Sequence, residues 1–414
     1  TLIVLGLAGG SIYIFPYLTY VFYDPLIHVL HISNAQSGML LTMYAIGCVI
    51  LYIPGGILAD KVNPKKALIL SLLATSALTI IFAVIIFLGL PGSVSFGISL
   101  VIWLLLAFGS GFVFWTALLK AIRIIGTEEE QGRMYGVYYA ANGTTAAIIA
   151  VVNLWAYNLG GGDKNEQMGF FFAVISMAIF TILAAILLAI FMEGTTDKDI
   201  STAEEDKFHF SDIGEVVKNP AVWLVSIMFF CIYGVYSCSS YFTPYLTDIV
   251  GLSTTVAGAC SVIRTYVVML IAAPLGGILA DKIFKSTLNW FRVGGTILAF
   301  SIALVILVGS QARAMLIAVL TLIPGLFSMS LYGVMFSTMH EINIPIKVAG
   351  TAIGIASIIG YLPDMFLSTF FGSILDKAQG AAGYMQIFEI LAVFCVIVVV
   401  ISCFLYTKYV KKAK

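Results

Sequence analysis

The sequence predicts an all-α polytopic membrane protein: twelve transmembrane helices in two six-helix bundles, with both termini cytoplasmic. Three observations carry this. The first is composition, since 61% of the 414 residues are hydrophobic and only 10% charged, against roughly 25% charged in soluble globular domains. Twenty-one Lys and Arg with 21 Asp and Glu cannot cover the surface of so large a fold in water, whereas 38 Gly and 13% aromatic residues suit lipid-facing, closely packed helices. The second is the spacing of the apolar runs, and the third is a repeated heptapeptide.

A spanning helix needs about 20 apolar residues. By that ruler helices 1 to 6 lie near 2–23, 36–59, 66–88, 97–119, 133–157 and 168–192. Helices 7 to 12 follow near 220–247, 255–280, 290–309, 312–336, 349–373 and 383–407. Residues 193–219, EGTTDKDISTAEEDKFHFSDIGEVVKN, are the one long polar linker. The expected organisation is therefore an N-terminal bundle over 1–192, a cytoplasmic linker over 193–219 and a C-terminal bundle over 220–414.

Orientation follows from Lys and Arg in the short loops. With the N-terminus inside, the cytoplasmic side holds Lys61, Lys65, Lys66, Lys120, Arg123, Arg133, Lys198, Lys207, Lys218, Lys282, Lys285, Arg292, Lys347, Lys408, Lys411, Lys412 and Lys414. The outer side holds Lys164, Arg313 and Lys377. Arg264 belongs to neither group, because it lies within a span.

GGILADK occurs at Gly55–Lys61 and again, letter for letter, at Gly276–Lys282, each at the cytoplasmic end of the second helix of its half. Such an identity at equivalent stations indicates an internal duplication. Weaker echoes accompany it: Pro16-Tyr17-Leu18 with Pro244-Tyr245-Leu246, and Ser33 and Gly38 with Ser253 and Gly258. Two parallel bundles related about the membrane normal are implied.

These residues resemble the major facilitator superfamily, whose signature between helices 2 and 3 reads approximately G-x-x-x-D-(R/K)-x-G-(R/K)-(R/K). Here it appears as Gly56-Ile-Leu-Ala-Asp60-Lys61-Val-Asn63-Pro64-Lys65-Lys66, and in the second copy as Gly277-Ile-Leu-Ala-Asp281-Lys282-Ile-Phe-Lys285. Asn63 replaces the usual second Gly, and Asn also accepts left-handed geometry. The stretch GTEEEQGRMYG, Gly126–Gly136, is similar to the family's corner between helices 4 and 5. More narrowly, the chain resembles a group of bacterial inner-membrane permeases, a likeness that names no substrate. The resemblance implies a secondary transporter in the bacterial inner membrane, working by alternating access with a mid-membrane solute site. It also implies that Asp60, Lys61, Arg133, Asp281 and Lys282 form a cytoplasmic conformational latch. A carboxylate in that position can face an Arg or the positive N-terminal end of a neighbouring helix. The rival reading is that the lysines only fix topology.

Net charge is zero, so no basic face invites nucleic acid. The six cysteines sit inside apolar runs without CxxC spacing or nearby His, which makes them packing residues rather than disulfide or metal ligands. Thr1 opens directly on an apolar run without a basic leader or cleavage site, so no secretory signal is expected and the native start is expected upstream. The Gly-rich stretches, Gly55-Gly56, Gly109-Ser-Gly111 and Gly276-Gly277, lack the strand, turn and Lys-Ser/Thr context of a nucleotide loop and read as helix-packing sites. No hydrolase pattern stands in a supporting context. The expectation is no enzyme, no cofactor and no metal; the partners are a small-molecule substrate, the lipid bilayer and a proton, with the chain a monomer.

Ionisable residues at bilayer depth cost about 2.5–3.5 kcal/mol each on insertion scales and are functional candidates by default. Arg264 lies roughly 15 Å from the start of helix 8 at 1.5 Å per residue, close to mid-membrane. Its planar, permanently charged fork suits a carboxylate or another oxyanion. Anion carriers in the superfamily use Arg on helix 8 or its repeat partner on helix 2, and here the helix 2 station falls near Met43 or Tyr44. Asp364 lies at similar depth in helix 11. The two charges leave three readings open: a structural ion pair, a zwitterion site, or an anion on Arg264 with the coupling proton on Asp364. Lys120 and Arg123 share a face of helix 4, and Lys120, the deeper, is a further anion candidate while Arg123 snorkels. His340 and Glu341 read as a solvated helix end. Aromatic residues crowd helices 1 and 7, where Tyr combines an apolar body with one hydroxyl; Tyr13, Tyr17, Tyr236 and the amide of Asn142 are the substrate-contact candidates. The favoured substrate is a small organic anion with proton symport. The alternatives are a carrier of neutral or zwitterionic solutes, in which Arg264 and Asp364 merely pair, and a non-transporting receptor.

Overall fold

The computed structural model describes residues 1–125, 131–192, 217–309, 313–344, 346–378 and 380–411; of these, 52–61, 123–125, 131–133, 135 and 346–351 are described as backbone only. Every helix or turn element assigned among them is helical, and eleven stretches are long and apolar enough to cross a bilayer. The twelfth crossing is helix 1, which is broken into Leu2–Ile12, a 3-10 turn at Leu18–Tyr20 and Tyr23–Leu30. Pro16 lies in the break, where its ring and missing N–H forbid a continuous helix.

Five crossings of the first half follow. Helix 2, Asn34–Lys61, opens on a capping box: Ser33 Oγ accepts from Gln36 N, and Gln36 Oε1 accepts from Ser33 N. Helix 3 is Pro64–Leu88, capped by Asn63, whose side chain accepts from the N–H groups of Lys65 and Lys66. Asn63 is thus extended, at φ −67°, and serves as a cap rather than a left-handed turn. Helix 4 runs Gly92–Leu106 and Phe114–Ile125 around a π turn at Ala107–Phe112. Helices 5 and 6 are Gln131–Leu159 and Glu166–Phe191.

In the second half helix 7 is Pro220–Cys238, a 3-10 turn at Ser239–Tyr241 and Phe242–Asp248. Helix 8 is Thr254–Val262, a π turn at Ile263–Val267, Val268–Ile278 and a second π turn at Leu279–Ile283. Helix 9 is Thr287–Val308, and helix 10 is Ala314–Leu320, Leu322–Tyr332 and Thr338–Glu341. Helix 11 is Ile346–Gly360 and Pro363–Lys377. Helix 12 is Ala381–Leu405, ending in a π turn at Tyr406–Val410.

The described residues group into two units, one within Thr1–Glu204 joined by Ser253–Val262, the other within Glu205–Leu252 and Ile263–Lys414. Inside the first, helix 3 packs on helix 6, helix 1 on helix 5, and helix 2 on helix 4; inside the second, helix 9 packs on 12, 7 on 11, and 8 on 10. The same pairing recurs six helices on, as a duplication requires. Glycines set the closest approaches. A Cβ at Gly6 would stand 2.4 Å from Ala141 Cβ, one at Gly109 2.6 Å from Thr75 Oγ1, and one at Gly276 2.1 Å from the Ser330 carbonyl. These are the small-residue contacts by which membrane helices associate.

Candidate functional site

Arg264 sits in the first π turn of helix 8. A π turn inserts one residue into the i→i−4 ladder and re-aims the side chains around it, which is why such turns recur at functional sites. The Arg264 side chain is 3% exposed. Its Nη2 donates to Thr243 Oγ1 at 2.9 Å, and its Cζ lies 5.6 Å from the centroid of the Phe242 ring. Both partners belong to the short second segment of helix 7, so the 3-10 turn before it presents a hydroxyl and a ring to one guanidinium. Gly325 in helix 10 houses the stem of the arginine: a Cβ there would lie 2.5 Å from Arg264 Cγ and 3.4 Å from its carbonyl.

Asp364 occupies the first turn of the second segment of helix 11, directly after Pro363. The sequence suggests an unbroken helix here. The structure instead starts a new half-helix, whose positive N-terminal end favours a carboxylate. Both oxygens are engaged from helix 7, by Tyr233 Oη at 2.6 Å and Ser237 Oγ at 2.7 Å, distances in the range of charge-assisted bonds. Among the described residues the donors to Asp364 are these hydroxyls, not the Arg264 guanidinium. Tyr233 belongs to a group of four tyrosines. Tyr236 stacks on Tyr332 at 5.5 Å and 5° between planes, Tyr233 meets Tyr361 edge-on at 4.7 Å, and the Tyr332 and Tyr361 hydroxyls are 2.9 Å apart.

In the first unit Tyr13 Oη donates to the Ser110 carbonyl at 3.3 Å, and Tyr44 Oη and Ser110 Oγ are 2.7 Å apart. Tyr17 packs edge-on against Tyr44 at 5.7 Å. Ser110 belongs to the π turn of helix 4, so Tyr44, one of the two residues at the helix 2 station, is a buried tyrosine tied to that π turn. Asn142 Nδ2 donates to Tyr138 Oη at 2.8 Å, and a Cβ at Gly9 would reach both side chains, so this amide lies at the seam of helices 1 and 5. Lys120 is half-buried on helix 4.

The start of helix 8 is held by Asp163. Its carboxylate accepts from Tyr157 Oη at 2.9 Å and from the Thr254 N–H at 3.3 Å, while Thr255 Oγ1 donates to Asn158 Oδ1 at 3.0 Å. The division between the two units falls between Val262 and Ile263, where the π turn carrying Arg264 begins.

Of the residues expected to form the latch, Asp60 and Lys61 end helix 2 and Arg133 lies in helix 5, but their side chains fall outside the described residues. Asp281 and Lys282 are exposed in the terminal π turn of helix 8. Glu341, expected to be solvated, instead meets the start of helix 9 in the second unit. It accepts from Ser286 Oγ at 2.8 Å, from Leu288 N at 3.1 Å and from Thr287 N, capping helix 9.

The chain is similar along nearly its whole length to two Escherichia coli (strain K12) proteins. One is the inner membrane protein YihN, 28% identical over 99% of this chain and 96% of the relative. The other is the inner membrane protein YqcE, 25% identical over 93% and 89%. Among solved structures it resembles a bacterial homologue of the human lysosomal transporter Spinster, with TM-score 0.75, 19% identity, and coverage of 99% of this chain and 97% of that one. It also resembles the D-xylose-proton symporter, with TM-score 0.74, 18% identity and the same coverage. A family model for the major facilitator superfamily matches residues 2–368, and with the duplicated GGILADK and the recurrent helix pairing this places the chain in the major facilitator superfamily, as a membrane transporter and not an enzyme.

Proposed function

We propose that the chain moves a small organic anion across the bacterial inner membrane by alternating access, with Arg264 as the principal anion contact and Asp364 as the proton carrier. The observation that carries this is Arg264 itself: a permanent charge, 3% exposed, set in a π turn within the apolar stretch Thr254–Ile283 and given room by a glycine on the neighbouring helix. A guanidinium at that depth is costly and is retained for a purpose. Asp364 is held by the helix 7 hydroxyls of Tyr233 and Ser237, which supports separate tasks for the carboxylate and the guanidinium. Tyr236, stacked on Tyr332, supplies an apolar wall with hydroxyl groups. Tyr13, Tyr17, Lys120 and Asn142 are proposed as further substrate contacts, and Asp60, Lys61, Arg133, Asp281 and Lys282 as the conformational latch. The names of the two E. coli relatives support the inner-membrane location.

A second reading, a carrier of neutral or zwitterionic solutes, is favoured by the stacked tyrosines beside the Asp364 network, a surface suited to a polar solute with a flat apolar face. A thermal-shift screen of the solubilised chain with anions, sugars and amino acids separates the two. Ligand at 100 times its Kd stabilises by about 2.7 kcal/mol. The anion reading expects organic anions to raise Tm and sugars to leave it unchanged; a response to sugars or amino acids alone contradicts it.

A further inference from the structure

Between helices 9 and 12 the second unit has a cleft lined by Arg292, Val293, Thr296, Ile297, Val399 and Cys403. Beside it the helices touch at Gly295, where a Cβ would stand 3.1 Å from Val399 Cγ2. The free space is about 310 Å³, the lower end of small-ligand sites. The flanking side chains are apolar and outward-facing, with Phe300 66%, Val400 61% and Ile297 37% exposed, a surface that lipid covers in a membrane.

One charged group lines this largely apolar cleft. Arg292 lies five residues into helix 9, roughly 7.5 Å from its start at 1.5 Å per residue, the depth of the headgroup and acyl boundary. Its Nη1 donates to Asn289 Oδ1 at 3.3 Å, and its Cζ lies 4.8 Å from the Tyr406 ring centroid. Its Nε has no acceptor, and among the described residues no carboxylate pairs with it. Lys408 stands over the Tyr409 ring at 5.1 Å at the same end of helix 12, adding to the positive field. By the loop count this end faces the cytoplasm, where leaflet lipids are anionic.

We propose that this cleft binds an anionic phospholipid, its phosphate on the Arg292 guanidinium and part of one acyl chain along Val399 and Cys403. A guanidinium pairs with a phosphate through two parallel hydrogen bonds, and the tyrosine ring beneath holds the guanidinium plane without neutralising it. The occupant is a lipid and not free phosphate, because the walls are apolar and open toward the hydrocarbon. The site is independent of Arg264 and of the substrate's identity.

The test is native mass spectrometry of the full chain in detergent, titrated with dioleoyl phosphatidylglycerol, dioleoyl phosphatidylcholine or inorganic phosphate. One arginine near an anionic surface corresponds to a preference of about fivefold. The wild type should retain phosphatidylglycerol about fivefold better than phosphatidylcholine, Arg292→Gln should abolish that preference, and Arg292→Lys should keep part of it. Val399→Trp, which fills the apolar wall and leaves the charge, should weaken retention of both lipids. Equal retention of the two lipids by the wild type, an unchanged preference in Arg292→Gln, or displacement of bound lipid by inorganic phosphate overturns the proposal.

Discussion

Gly325→Ala perturbs the candidate site without altering a charge. The added methyl would lie 2.5 Å from Arg264 Cγ and 3.3 Å from its Cδ, with the Arg264 carbonyl at 3.4 Å. Cγ is near the root of the side chain, so the stem cannot swing clear while its guanidinium stays on Thr243. Either helices 8 and 10 separate or the hydrogen bond at 2.9 Å breaks. Overpacking of this kind costs about 1–3 kcal/mol, and a hydrogen bond from a charged donor contributes about 1.5–3 kcal/mol. Because relaxation relieves one strain at the expense of the other, the two do not add, and a loss of about 1–3 kcal/mol is expected. For a unit of this size that is roughly 2–4 °C of Tm per kcal/mol. Differential scanning fluorimetry of the solubilised protein reads the shift, and anion uptake into proteoliposomes should fall with it, since the guanidinium has been displaced but not removed. A Gly325→Ala protein that melts and transports like the wild type refutes the claim that this glycine positions Arg264.

Three further outcomes follow from the same geometry. Glu341→Ala removes the acceptor of the Thr287 and Leu288 N–H groups, leaving Ser286 Oγ on Asn289 N, and should cost about 1–2 kcal/mol, with Glu341→Gln retaining part of it, as read by thermal unfolding. Asp364→Asn keeps acceptor and donor capacity toward Tyr233 and Ser237 but cannot gain and release a proton, so proteoliposomes should still exchange substrate down its gradient and fail to accumulate it under an acid gradient; accumulation that persists removes the coupling role. Asp60→Asn or Asp281→Asn should slow turnover while leaving ligand affinity in detergent unchanged, and a loss of affinity with normal turnover contradicts the latch.

Much of the architecture was legible because length and apolarity alone define a span. The runs near 66–88 and 168–192 meet helices Pro64–Leu88 and Glu166–Phe191 almost end to end. Hydropathy does not see where a helix breaks inside the membrane. Helix 11 reads as one run near 349–373, although Pro363, which interrupts a helix, stands at the break that the structure shows between Ile346–Gly360 and Pro363–Lys377. The π turn around Arg264 had no such marker: Ile-Arg-Thr-Tyr-Val contains neither Gly nor Pro, and the turn arises from tertiary packing. Arg264 and Asp364 were found by rarity of charge, a signal that survives any helix geometry. Tyr332, Tyr361, Ser237 and Thr243 were missed because one tyrosine or hydroxyl among many in apolar runs carries no individual signal; only the fold brings them to the two charges. Glu341 was misplaced for a related reason, because a carboxylate at one helix end reads as solvated until the neighbouring helix start at Ser286–Leu288 is seen beside it.

The central claim is that Arg264 binds the transported anion through its forked guanidinium. Initial uptake into proteoliposomes, compared for wild type, Arg264→Lys and Arg264→Ala with the anion that most raises Tm, tests it most directly. The account predicts a fall of about 10- to 100-fold in kcat/KM for both variants, the size of a lost charged hydrogen bond, with lysine no full substitute because a point ammonium cannot reproduce two parallel bonds. Uptake at the wild-type rate by a well-folded Arg264→Ala protein contradicts it.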